Sequence, residues 1–391
     1  MASGAFLSTA VEQAVAGAYG AEWARVVSTL IRITGDWSLA EDCTADAFEK
    51  ALERWARDGV PDNPGAWLTT VAKNRALDRL RRAANEAKKL EKVAIMAELE
   101  AEVHEVSDDR LRLIFTCCHP ALPLEARVAL TLRTVVGLAT PEIARAFLVA
   151  ESTMAQRLVR AQKKIKNAGI PYRVPPIELL PERLAGVLAV LYLLFNEGYT
   201  TVSRVDLAEE AIRLTRLLAQ LMPAEPEIRG LLALELLQHS RRAARMVDGD
   251  LVPLEEQDRT LWDRAAIEEG LALVQPGGLY QTQAAIAAVH ARDAGEYDEL
   301  VRLYDRLGGG PMVQLNRAVA IGMAQGPEAG LTAIDALPPL DHHLVPSARA
   351  DFLRRLGLHE LAAAEYRRAL AMVTSDPERT YLARRLEEME G

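Results

Sequence analysis

The 391 residues predict an all-α fold. Alanine and leucine are abundant, runs of β-branched residues are short, and no segment alternates apolar and polar positions with the period of two that a half-buried strand needs. Half of the residues are hydrophobic, which suits a globular chain, and the length exceeds what one core fills, so two or three domains are expected. No apolar run is long enough to span a bilayer, and MASGAFLSTAVEQ lacks a basic stretch followed by an apolar core, which predicts a cytoplasmic protein with no membrane partner. Cys43, Cys117 and Cys118 are too few for a disulfide framework and fit a reducing compartment.

A first helical unit is expected over residues 1–83. In SLAEDCTADAFEKALERW, Leu39, Cys43, Ala47, Phe48, Ala51 and Trp55 share one helical face, while Asp42, Asp46, Glu49 and Glu53 line another. An acidic stripe cannot face DNA, so it reads as a docking surface for a basic protein or as a solvated face. PDNPGAWLTTVAKNRALDRLRR then sets Trp67 at a helix start behind a Pro/Gly loop containing Asp62 and Asn63. Lys73, Asn74, Arg75, Arg79, Arg81 and Arg82 follow. Arg75, Arg79 and Arg82 share a face. A basic groove beside an aromatic platform grips an unpaired strand, although the same tryptophan serves equally as a core residue.

Residues 84–107 form a highly charged connection. A second unit covers 108–170 and contains LATPEIARAFLVAESTMAQRLVRAQKKIK, two short helices around a tight turn. Thr140 is placed to cap the first, with Pro141 at its first position. In the second, Met154, Leu158, Ala161 and Ile165 form the packing stripe, and Thr153, Gln156, Arg157, Arg160 and Lys164 fill the opposite side. That is the pattern of a helix-turn-helix whose second helix enters the major groove, and also of an amphipathic pair in a bundle. Leu148 stands where a glycine is common and Ala150 where a Ser or Thr cap is common; Ser152 could cap one or two residues later, and Glu151 suits the helix dipole.

The prolines of IPYRVPPIELLP make 171–180 the expected linker to a third region, 181–391. There Gly295, Gly326 and Gly357 recur at a spacing of 31, each opening a similar segment, with Tyr304 and Tyr366 at one repeat position. This resembles stacked tetratricopeptide hairpins, of which a typical period is about 34. Charge divides likewise: residues 1–170 hold 23 basic and 22 acidic side chains, the remainder 23 and 33. The first part suits nucleic acid; the second would be repelled by it.

AEDCTADAFEKA followed by NPGAWLTTVAKNRALDRLRR resembles region 2 of sigma-70-type factors of the extracytoplasmic-function group, and residues 108–166 resemble their region 4. FTCCHPAL, LYLLFNEGY and the repeat-bearing tail resemble the subgroup with a tetratricopeptide-like C-terminal extension. The resemblance implies that the chain binds core RNA polymerase and promoter DNA. It puts Asp42, Asp46, Phe48 and Glu49 on the polymerase-docking helix, and Asp62, Asn63, Trp67, Lys73, Asn74, Arg75 and Arg79 at the −10 strand. Ser152, Thr153, Gln156, Arg157 and Arg160 would serve the −35 element, with Lys163 and Lys164 on phosphates. The acidic tail would regulate the factor, through a partner or ligand that the sequence does not identify.

Other clusters carry less. Cys117, Cys118 and His119 lack metal-ligand spacing, so no metal and no cofactor is expected. Asn196, Glu197 and Tyr199 end an apolar helix and tie a turn or line a pocket; His342 and His343 are expected in an exposed loop. With no P-loop, dinucleotide turn or paired carboxylates beside a histidine, the chain is not expected to be an enzyme. The alternative is a helix-turn-helix regulator or helical scaffold without core polymerase, and the acidic stripe from Asp42 to Glu53 separates the two, because a regulator has no need of it.

Overall fold

A computed structural model describes residues 2–86, 109–147, 149–200, 207–247, 250–292, 296–374 and 376–390. Most of the charged connection, together with Leu148 and Gly295, lies outside the described residues. These are helical almost throughout, as the composition predicts. Strand is confined to an antiparallel pair, β1 (Met246–Val247) and β2 (Asp250–Leu251). Among the described residues no helix is long and apolar enough to cross a membrane. The chain divides into two compact units, Met1–Leu214 and Thr215–Gly391.

The first unit opens with three packed helices: α1 (Ala2–Thr34), α2 (Trp37–Asp58) and α3 (Pro64–Glu86). Asp36 caps α2 by accepting from the Leu39 N–H at 3.0 Å, and Asn63 caps α3 by accepting from Ala66 at 3.0 Å. Ala40, Cys43, Ala47 and Ala51 are fully buried small residues that let α1 and α3 close on α2. Then follow α4 (Asp109–Cys117) and α5 (Leu124–Leu130), which widens into a π turn over Thr131–Val136. The turn ends at Gly137 with φ 91, against which Tyr19 and Trp23 are pressed; a Cβ there would stand 2.8 Å from the Tyr19 hydroxyl. Glycine is required on both counts.

Next come α6 (Thr140–Ala146), α7 (Glu151–Asn167), α8 (Leu180–Thr200) and α9 (Leu207–Leu221). Residues 171–179 are non-helical, yet compactness does not end there, as the proline linker led us to expect. The Tyr172 hydroxyl donates to the Ser28 carbonyl at 3.0 Å, Arg183 of α8 donates to the Phe115 carbonyl at 2.8 Å, and α8 packs on α4 and α5. Prolines stop a helix, but the apolar face of α8 still needs a partner, and it finds one on the preceding helices.

The second unit is centred on α10 (Pro226–His239), whose Leu231, Ala233 and Leu237 are buried among α12 (Arg264–Leu273) and α13 (Leu279–Ala291); the short α11 (Arg242–Arg245) lies between. From there α14 (Tyr297–Leu307), α15 (Pro311–Gln325), α16 (Pro327–Asp335), α17 (Leu344–Arg355), α18 (His359–Met372) and α19 (Asp376–Glu390) each pack on the next. Gly326 and Gly357, two of the three regularly spaced glycines, turn the chain at φ 105 and 74. His342 and His343, expected in solvent, stack at 4.5 Å instead, and the His343 Nε2 lies 3.5 Å from Glu378, because α19 folds back over their loop.

Glu235 of α10 is fully buried, and its Oε1 accepts from the Thr215 hydroxyl at 3.1 Å. Burial raises its carboxyl well above the ordinary value. A raised folded value means that its contribution to stability is complete below the unfolded glutamate range and is lost as pH rises through the folded value. Glu235→Gln keeps the Thr215 bond and has no proton to lose. Its denaturation midpoint is expected to rise above that of the wild type progressively with pH; parallel curves would refute this.

Candidate nucleic-acid interface

Helices α2 and α3 lie side by side and bring the acidic stripe against the basic face. Arg79 donates to Asp42 at 3.2 Å and to Asp46 at 3.0 Å, while the Arg75 Nε stands 3.8 Å from Asp46. Two surfaces that read separately in the sequence are therefore one charge-balanced patch. The Arg79–Asp42 pair is solvent-exposed and worth at most about 1 kcal/mol, so a phosphate or a basic partner can displace it. Asp42, Glu49, Asp62, Asn63 and Asn74 are exposed; Lys73 and Trp67 are half-buried, the latter edge-on to Trp55 at 5.7 Å. Phe48 requires a correction. Only 5% exposed, it packs on Tyr19 at 4.9 Å and Trp23 at 6.1 Å, so it props α2 from behind and is not on the surface that a partner touches.

On α7, Met154, Leu158, Ala161 and Ile165 are buried, and Ser152, Thr153, Gln156, Arg160, Lys163 and Lys164 are exposed. Arg157 is held by Glu125 of α5 at 3.0 Å. Two capping expectations fail. Helix α7 starts at Glu151 with Ala150 in the cap position and no side-chain cap, so Ser152 lies within the first turn and has no capping role. Helix α6 begins at Thr140 itself, after Ala139, whose N–H donates to the Glu142 carboxylate at 2.8 Å. A glutamate three residues into the helix does the work expected of Thr140.

The principal group that the sequence reading missed joins α1 and α2 to the π turn that precedes α6 and α7. Glu41 of α2 is buried; its carboxylate accepts from the Thr134 hydroxyl at 2.9 Å and from Arg133 at 3.1 Å. Alongside, the Tyr19 hydroxyl donates to the Gly137 carbonyl at 2.6 Å and the Trp23 indole to the Thr134 carbonyl at 3.2 Å. Arg32 pairs with Asp109 at 2.8 Å. Burial pushes the Glu41 carboxyl up, with Arg133 opposing, and pushes the Tyr19 phenol to about 12. Glu41 shares its stripe with Thr44, Phe48, Ala51 and Trp55, and a glutamate in register with an apolar face is the signal that marks a buried acid.

Cys117 and Cys118 are buried free thiols, Cys118 held near Thr131 at 3.7 Å with its thiol pushed up to about 11 by burial. Both are thereby poor nucleophiles. Asn196 and Glu197 lie in the last turns of α8.

Residues 19–86 match sigma-70 region 2, residues 112–165 match sigma-70 region 4, and residues 183–276 match a family of unknown function, DUF6596. The uncharacterized protein R00370 of Rhizobium meliloti (strain 1021) is 40% identical over 398 residues, covering 93% of each chain. A probable ECF RNA polymerase sigma factor, SigI, of Mycobacterium tuberculosis (strain CDC 1551 / Oshkosh) is 29% identical over 171 residues, 42% of this chain and 58% of that one. No solved structure matches. The first two matches fall on the helices that carry the patch of α2 and α3 and the exposed face of α7, in the order that the sequence pattern implies. With likeness to R00370 along nearly its whole length, the chain belongs to the family of that protein, and it carries sigma-70 region 2 and region 4 domains in that order.

Proposed function

We propose that the chain directs core RNA polymerase to promoters, region 2 engaging the polymerase and the −10 strand, region 4 the −35 groove, and the C-terminal unit regulating the pair. The observation that carries this reading is that one compact unit holds both the charge-balanced patch of α2 and α3, where Arg79 meets Asp42 and Asp46, and the exposed basic face of α7. In this reading polymerase does the chemistry, the chain works in the cytoplasm, and the hairpins from Tyr297 to Glu390 form a tetratricopeptide-like regulatory domain.

The two regions are clasped through Glu41 and Tyr19, and a compact unit of this size is about 45 Å across. Elements about 25 base pairs apart lie about 85 Å apart along duplex DNA. The clasp must therefore open for both elements to be held at once, which makes its strength a term in promoter affinity.

Purified chain added to core polymerase is expected to give RNA from a defined start at its own promoter, and a chain ending at residue 222 is expected to differ from the full chain in yield. Specific DNA binding without a transcript would favour the helix-turn-helix regulator; equal yields would remove regulation by the C-terminal unit.

A further inference from the structure

We propose that the C-terminal unit binds a small organic acid with an apolar body, in a cavity of about 400 Å³ bounded on one side by the segment 253–256. That volume lies within the range that takes one drug-sized ligand. One wall is apolar and aromatic, formed by Leu300, Val319, Ala320 and Met323 with the rings of Tyr297 and Tyr304 from α14 and α15. Arg355 of α17 and Arg385 of α19 also line the cavity.

The arginines are occupied by carboxylates of the chain's own segment. Arg355 donates to both Glu255 oxygens at 3.1 and 3.0 Å, Arg385 to Glu256, and Arg384 to Glu256 at 3.2 Å. Arg385 is further fixed by Tyr381, its guanidinium 5.4 Å from the ring centre. Asp351 is satisfied separately by Arg354 at 2.5 Å and by Arg355 at 2.7 Å. Glu255 and Glu256 have side chains 55% and 36% exposed, so a competing anion can reach their pairs from solvent. When they swing away Arg385 keeps Glu388 at 2.8 Å and Arg355 keeps Asp351 at 2.7 Å, and with Arg354 and Arg384 beside them the local balance is positive. A ligand carboxylate that replaces them takes fork geometry from a guanidinium, while its body displaces water from the apolar wall.

His290 completes the lining and is neutral at ordinary pH, because burial and nearby Arg241 push it down to about 4; it offers a hydrogen-bonding ring and no charge. Charge recognition thus falls to the arginines. The segment 253–256 itself bounds the space, which limits the site to a compact molecule and excludes an extended peptide.

The test is calorimetric titration of the full chain with 2-naphthoate, 2-naphthamide and 2-naphthylmethylamine, which share a body and differ in charge. Binding of 2-naphthoate is expected, at least about tenfold tighter than the amide, as loss of a charge-assisted pair implies. Met323→Trp, which fills the cavity, is expected to abolish it, and the double change Glu255→Gln with Glu256→Gln, which removes the internal competitor, to tighten it several-fold. The double variant alters only exposed side chains and so decides the matter even if Met323→Trp fails to fold. The proposal is overturned by no binding of 2-naphthoate, by acid and amide binding alike, by no gain in the double variant, or by preference for a peptide copying residues 252–257. Binding is measured on the chain alone, so its outcome is independent of any effect on polymerase.

Discussion

Replacing Glu41 by alanine is expected to cost the first unit about 2 to 3 kcal/mol, because it strands a buried hydroxyl and a largely buried guanidinium. Thr134 has no exposure, and the Arg133 side chain is 26% exposed and keeps only its bond to the Leu138 carbonyl, at 3.1 Å. Chemical denaturation of the full chain measures the loss, and amide exchange over residues 131–138 locates it. Glu41→Gln still accepts from Thr134 and should retain most of the stability. Because burial raises the folded value of Glu41, its contribution is complete below the unfolded glutamate range and is lost as pH rises through the folded value. The glutamine variant should therefore gain on wild type as pH rises. If the clasp must open on a promoter, Glu41→Ala should yield as much transcript as wild type, or more, at limiting chain concentration, despite its lower stability. A loss of transcript matching the loss of folded protein would show that the clasped form is itself the active one.

The sequence made the helices legible, but not the contacts between them. The stripe Met154, Leu158, Ala161 and Ile165 is buried as its spacing predicts, since periodicity within one helix is a local property. Arg79 shows the limit. Its i, i+4 neighbours mark it as a free basic side chain, and only the packing of α2 on α3, with the partners 33 positions apart in sequence, shows that Asp46 already holds it. Phe48 is a case where periodicity outweighs motif: the motif makes it a docking residue, but its place in the apolar stripe already turns it inward, onto aromatic partners on α1. The proline segment is locally what it seemed, a helix break, but whether a break separates domains depends on what the next apolar face touches, here α4 and α5. Ala150 leaves α7 without a side-chain cap, a weakness that packing of its buried stripe offsets, because tertiary contacts outweigh propensity in a helix of this length.

Arg157→Ala is expected to weaken −35 binding by about 1 to 3 kcal/mol if the guanidinium reads a guanine, with specificity relaxed at that base pair. A phosphate contact would instead give a uniform loss and reduce the salt slope by about one. Glu125 gives this experiment a control of opposite sign. In the free chain it holds Arg157 at 3.0 Å, and DNA must compete for the same guanidinium. The Glu125 side chain is 70% exposed, so the pair is worth at most about 1 kcal/mol, and Glu125→Ala should tighten binding by no more than about fivefold. Once Arg157 is absent Glu125 has nothing to withhold, so the double variant should bind like Arg157→Ala alone, a departure from additivity that identifies direct competition. Additive effects would mean that Arg157 and Glu125 act on DNA binding independently, and no effect from either change would mean that α7 meets DNA through Gln156, Arg160 and Lys164 without Arg157.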